Sequence, residues 1–259
     1  MTLDPAAVDA PPSRRALRGE IVIVLLLSLG QSAVYAVVSL IAKLTAGKPL
    51  SQQAAVLNQS QSPRPYLDLT YQLLGIFFAL IPVALAIYLL SRDRLAPRRT
   101  LGLTADRPGF DLGWGTLLAA CIGIPGLLLV YVARLLGISA DIVPAALQPV
   151  WWAIPVLVLS AIENAVLEEV IVVGYLITRL RSLGWSTVAV IACSAALRGS
   201  YHLYQGFGAF VGNAVMGVVF ALFYLRFKRV MPLIVAHSIL DTAAFVGYTL
   251  LPHSWLSWV

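Results

Sequence analysis

Seven apolar stretches follow one another along this chain, each close to the length that crosses a bilayer. They constrain the fold more than any other feature. They run approximately over 20–44, 67–91, 113–137, 150–178, 186–205, 207–226 and 230–251. A transmembrane helix needs about 20 mainly apolar residues, and only helices or closed barrels satisfy their backbone within hydrocarbon. Composition points the same way. Of 259 residues, 59% are apolar and 12% charged, against about 45–50% and about 25% in soluble domains. Mean hydropathy is +0.86. So little charge cannot cover a soluble globule of this size, and soluble folds are excluded. The sequence predicts an all-α polytopic membrane bundle of about seven transmembrane helices. The net charge of +6 then reflects basic loops rather than nucleic-acid binding. The lipid bilayer is the expected partner, and nucleic acid is not.

The basic residues also predict an orientation. Thirteen of eighteen lie on one side: Arg14, Arg15, Arg18, Arg92, Arg94, Arg98, Arg99, Arg107, Arg179, Arg181, Arg226, Lys228 and Arg229. That side is assigned to the cytoplasm. The N-terminus is then inside and the C-terminus outside, in the plasma membrane if the chain is bacterial. Residues 1–19 read as a cytoplasmic leader, too long to be a cleaved signal peptide. Residues 20–149 read as N-terminal transmembrane helices, 150–251 as a core and 252–259 as a tail. The external loop 45–66, rich in Gln, Ser and Pro, is expected to be flexible. Cys121 and Cys193 read as small buried hydrophobes. Trp151, Trp152, Trp255 and Trp258 suit an external aromatic belt, and His253 an interface position. Gly208 and Gly212 suit close helix packing.

Spans four, five and seven hold residues that a bilayer resists: Glu163, Glu168, Glu169, Arg198, His202, His237 and Asp241. Charged and unpaired, they would cost on the order of 10 kcal/mol. They must face one another or water, which makes a functional site the default reading. Residues four apart share a helix face. His237 and Asp241 are so spaced, as are Arg198 and His202 (with Gln205 three further on) and Asn164 and Glu168. Three such stripes can meet at a bundle centre. A carboxylate among imidazoles can act as general base, and two histidines with an acid can hold zinc. Both routes activate water for hydrolysis. A non-catalytic paired bundle and a proton-coupled transporter stay open at this point. Glu163 is expected near the outer interface, with a place supporting the site residues as the alternative. Asn213 is expected in an interhelical hydrogen bond, with a supporting place in the site left open.

At these residues the chain resembles the CPBP family of intramembrane proteases, which includes the CaaX prenyl endopeptidases and the bacteriocin-processing or Abi proteins. The family carries a Glu-Glu-xxx-Arg motif, a Phe-xxx-His motif and a His-xxx-Asn/Asp motif on successive helices. Here Glu168-Glu169 opens the first, His202 ends the second, and His237 with Asp241 forms the third. The steps between them are 34 and 35 residues, and the resemblance covers about 150–251. It implies a membrane endopeptidase that cuts a membrane-associated polypeptide, prenylated or CaaX-like. Glu168 would be the base, helped by His202, with Glu169 positioning the first helix or sharing a proton. His237 and Asp241 would stabilise the oxyanion or complete a metal site with Glu168 and His202. A divalent metal such as zinc is left open, and no organic cofactor is expected. Membrane regulators or immunity proteins of the same fold are the alternative. The prenyl-processing relatives imply a cytoplasmic mouth, whereas helix rise places His202 deep from that side. Two positions depart from the family's motifs: Val173 stands where the arginine belongs, and Arg198 where the phenylalanine belongs. Arg198 is therefore expected to supply, from the neighbouring helix, the cation the glutamates need.

Overall fold

The structure is a computed structural model and describes residues 12–93 and 96–252. Residues 1–11 of the leader, Arg94, and His253, Trp255 and Trp258 of the tail lie outside the described residues. Ser13 caps the first helix, α1 (Arg14–Leu26), by accepting from the Ala16 amide at 3.2 Å. Helix α2 (Leu29–Leu44) follows at a bend of 55°. Strand β1 (Ala54–Gln59) leads to α3 (Pro65–Ala79) and α4 (Ile81–Arg92). Then come α5 (Pro108–Leu135), strand β2 (Asp141–Ala146) and α6 (Ala153–Glu168). A π-helical stretch, Glu169–Tyr175, joins α6 to α7 (Leu176–Ser182). The chain finishes with α8 (Thr187–Tyr201), α9 (Phe207–Phe227) and α10 (Met231–Leu250).

Among the described residues, four helical stretches are long and apolar enough to cross a membrane: Pro65–Arg92, α5, α9 and α10. The bent pair α1–α2 makes a fifth if it is one span. The sequence pattern gives seven. The two that do not qualify, 150–178 and 186–205, are helical but interrupted by the polar residues they carry. The first turns π-helical at Glu169. The second ends after 15 residues at Tyr201. Large apolar side chains point outward from the long helices, including Phe77, Phe78, Ile124, Leu128 and Leu222. In water such a surface would be a liability; against lipid it needs no cover. The π-helical stretch lies at the middle of the core, with Val170, Ile171, Val172, Val173 and Tyr175 all fully buried.

The bundle carries one small sheet, a correction to the expected flexible loop at 45–66. Strands β1 and β2 pair in parallel from Ala54↔Asp141 to Gln59↔Ala146. A two-stranded sheet is marginal by itself, and this one is braced from both sides. The Asn58 side chain donates to the Pro144 carbonyl at 2.8 Å, and the Ala140 amide donates to the Gln205 carbonyl at 2.9 Å. The second contact ties the sheet to the turn directly after His202. The Gly208/Gly212 pair does serve close packing, and its partner is α5. A side chain at Gly208 would meet Ala133 Cβ at 2.4 Å, and one at Gly212 would meet Leu129 at 2.9 Å.

Candidate active site

The site grows from the junction of α6 with the π-helical stretch. π-turns recur at functional sites, and this one starts at Glu169 itself. Adjacent residues of a helix face about 100° apart, so Glu168 and Glu169 need a group between them to act together. Arg198 of α8 is that group. One terminal guanidinium nitrogen lies 3.2 Å from Glu168 Oε2, and the other lies 2.6 Å from Glu169 Oε1. Arg198 has no exposed surface, and its guanidinium also lies over the Phe220 ring at 5.3 Å. Gly217 of α9 makes room for it: a side chain there would meet Ala195 Cα at 2.9 Å and Arg198 Cδ at 3.3 Å. Val173 is fully buried among apolar neighbours. The cation thus reaches the glutamates from α8, as the departure from the motifs leads one to expect.

The remaining residues extend this pair in both directions. His237 Nδ1 lies 2.7 Å from Glu169 Oε1, and its Nε2 lies 3.6 Å from Asp241 Oδ1. Asn164 donates to the other oxygen of Asp241 at 3.3 Å. On the Glu168 side, the Tyr201 hydroxyl donates to Oε2 at 2.7 Å. Glu168 Oε1 faces His202 Nε2 across 4.0 Å, too far for a direct bond. The Gln205 amide, assigned with its nitrogen toward the ring, lies 3.3 Å from His202 Nδ1. With Nδ1 accepting, the proton of the neutral ring sits on Nε2 and points at Glu168 Oε1. Three buried atoms here have no protein partner among the described residues: His202 Nε2, Glu169 Oε2 and Arg198 Nε.

Glu168, Glu169, Arg198, His202, His237, Asp241 and Asn164 are therefore brought into one connected cluster. Asn213 is not: its amide donates to the Ala209 carbonyl of its own helix at 3.0 Å, neither in the site nor across to another helix. Glu163 is buried, with 9% exposure, and makes no hydrogen bond to the cluster among the described residues. Tyr201 is the residue that sequence reasoning missed. It lies three residues after Arg198 and shares its helix face, so the stripe reads Arg198, Tyr201, His202, Gln205. An aromatic ring in an apolar span gives no warning of this; the spacing alone would have found it.

Glu168, Glu169 and His237 each offer a ligand atom, and these lie within 4.8 Å of one another. That set differs from the four residues singled out in the sequence, since His202 and Asp241 stand apart from it. Both carboxylates already bond Arg198, and His237 Nδ1 already bonds Glu169. A divalent ion placed there would stand within a few ångströms of a guanidinium that never loses its charge. The donor set fits a guanidinium and fits a second cation poorly.

Residues 150–243 match the family model described as "Type II CAAX prenyl endopeptidase Rce1-like". No curated protein and no solved structure matches the chain. The matched segment begins just before α6, ends within α10 and contains every residue of the cluster. The apolar helices and this match make the chain an integral membrane protein, and a protease family is what the matched segment resembles. The order of the three motifs and the family match both place this segment in the CPBP family of membrane proteases.

Proposed function

We propose that the chain is a membrane-embedded endopeptidase, with 150–251 as its catalytic core. It hydrolyses a peptide bond in a membrane-associated polypeptide of prenylated or CaaX-like kind. The N-terminus lies in the cytoplasm and the C-terminus outside, in the plasma membrane if the chain is bacterial. The observation that carries the reading is the 4.0 Å gap between Glu168 Oε1 and His202 Nε2, both of them free of direct protein bonds at those atoms. A water about 2.8 Å from each atom fills such a gap. It accepts from His202 Nε2–H and donates to Glu168.

Glu168 takes the proton of this water as the oxygen attacks the scissile carbonyl carbon. His202 Nε2–H then donates to the oxyanion. As the tetrahedral intermediate collapses, Glu168 returns the proton to the departing amine, and the C–N bond breaks. Arg198 and Tyr201 hold the second oxygen of Glu168, which aims the first at the water. His237 and Asp241 act one step further out, by fixing Glu169 and through it Arg198. We propose that no resident metal takes part, and the support for this is the guanidinium between the two carboxylates. A proteomic comparison of membrane peptides in cells with active and Glu168→Ala protein tests the function. Peptides that vanish with the variant identify the substrate; identical peptide sets reject proteolysis and favour a regulator of the same fold.

A further inference from the structure

Beside the site lies a polar cleft that the mechanism does not use. It is about 340 Å³ in volume and opens between α3 and α6 under the end of β1. Asn58, Gln61, Gln72, Ser160, Glu163 and Asn164 line it. Asn164 belongs to the cluster through Asp241, so the inner wall of the cleft is shared with the site. Ser160, Glu163 and Asn164 are three and four residues apart, and form one stripe of α6 facing the cleft. The cleft lies on the side of the β1–β2 pair, which the basic residues assign to the external face.

Glu163 has 9% exposure and lines this cavity. Among the described residues it makes no hydrogen bond and no ion pair. The charged groups nearest to it in effect, Glu168 and Asp241, are both acidic. Arg198 is held by Glu168 and Glu169, has no exposed surface and does not line the cleft. A buried carboxylate without a partner is costly, and inside a membrane it marks a binding or conduction point. The space before it exceeds many times the roughly 30 Å³ that one water occupies. Its lining includes both the apolar Ile76 and the acidic Glu163.

We propose that this cleft is a recognition subsite for a cationic group, and that Glu163 is its anion. The occupant is a lysine or arginine side chain of the substrate, close to the bond that is cut. That identity rests on the peptidase reading; the cation site itself does not. The experiment therefore separates the two. Gly75 of α3 lines the cleft, and a side chain added there meets nothing within 4 Å. In full-length protein with Cys121→Ala, Cys193→Ala and Gly75→Cys, a trimethylammonium thiosulfonate and a sulfonate thiosulfonate compete for one thiol. Corrected for their rates on a free thiol, the cationic reagent reacts about tenfold faster, as expected beside an unbalanced charge. Glu163→Gln brings the ratio to about one. Equal rates in the starting protein, or a preference that survives Glu163→Gln, overturn the cation site. An acylated peptide containing lysine protects the thiol at concentrations where its glutamine twin does not. Protection by sodium or magnesium chloride instead, at matched ionic strength, overturns the peptide assignment. If the charge preference holds while no peptide is cut by the enzyme, the cation site stands and the peptidase reading falls.

Discussion

Arg179 and Arg198 share their immediate chemistry: each is a buried guanidinium between two carboxylates. Around Arg179 no buried side-chain atom is left without a partner among the described residues. Its Nε bonds Glu20 at 2.7 Å, one terminal nitrogen bonds Asp93, and the other donates to the Leu89 carbonyl at 3.2 Å. Tyr175 completes Glu20 with a bond of 2.7 Å. Around Arg198 three buried atoms have no partner among the described residues: its own Nε, Glu169 Oε2 and His202 Nε2. Arg229 repeats the closed arrangement, bonding Asp111 through two nitrogens at 2.6 Å each, with Thr104 and Asp106 beyond. A closed cluster braces the ends of helices. An open one keeps capacity for water and substrate. Counting charges does not separate the two; counting unfilled hydrogen bonds does.

The contrast breaks most visibly at the arginines. Removing one partner of a buried ion pair costs about 3–5 kcal/mol. Arg198→Ala and Arg179→Ala should both lower the unfolding midpoint in detergent by comparable amounts. Only Arg198→Ala should also cut peptide cleavage per folded molecule, by about a hundredfold, since Glu168 loses its aim. Equal activity losses in the two variants would erase the distinction between brace and site. Tyr201→Phe sharpens it. A hydrogen bond to a charged group contributes about 1.5–3 kcal/mol, so cleavage should fall by roughly ten- to a hundredfold with helix content unchanged by circular dichroism. An unchanged rate would remove Tyr201 from the site.

The smallest effect belongs to Asp106, which is exposed at the rim of the Arg229 cluster. The Thr104 hydroxyl, and then Arg229, hold its carboxyl below the usual range. A depressed acid contributes stability above its unfolded pKa and loses it as pH falls through the folded one. Asp106→Asn should therefore lower the unfolding midpoint only slightly at neutral pH, because solvent screens an exposed pair. The difference from the parent protein should vanish in strong acid, as followed by thermal unfolding at several pH values. A gap that persists in acid would contradict the assignment.

Much of the site was legible because helical spacing is rigid. His237 with Asp241, Arg198 with His202, and Asn164 with Glu168 each predicted a shared face, and the cluster joins all six. The role of Arg198 followed from a cation missing at Val173 and present one helix away. What escaped depends on contacts between distant segments. The parallel pairing of β1 with β2 links residues more than 80 apart, and β2 contains Pro144, which argues against a strand. Two expected spans fall short of a long regular helix for a local reason: hydropathy averages over the π-turn at Glu169 and over the early end of α8. Arg179 and Arg229 were counted as loop charges, because a basic residue at a span end looks the same whether solvated or paired. Asn213 shows the opposite error, an amide whose needs its own helix already meets.

We propose above that Glu168, held by Arg198 and Tyr201, activates water without a metal. Purified protein in vesicles, given an acylated reporter peptide drawn from the proteomic comparison, tests it directly. Cleavage is measured for the starting protein with and without a chelator and for Glu168→Gln, which keeps the shape and removes the base. The chelator should change nothing, and Glu168→Gln should lose about 10²–10⁴-fold. Full activity in Glu168→Gln, or activity abolished by the chelator and restored by zinc, would contradict it.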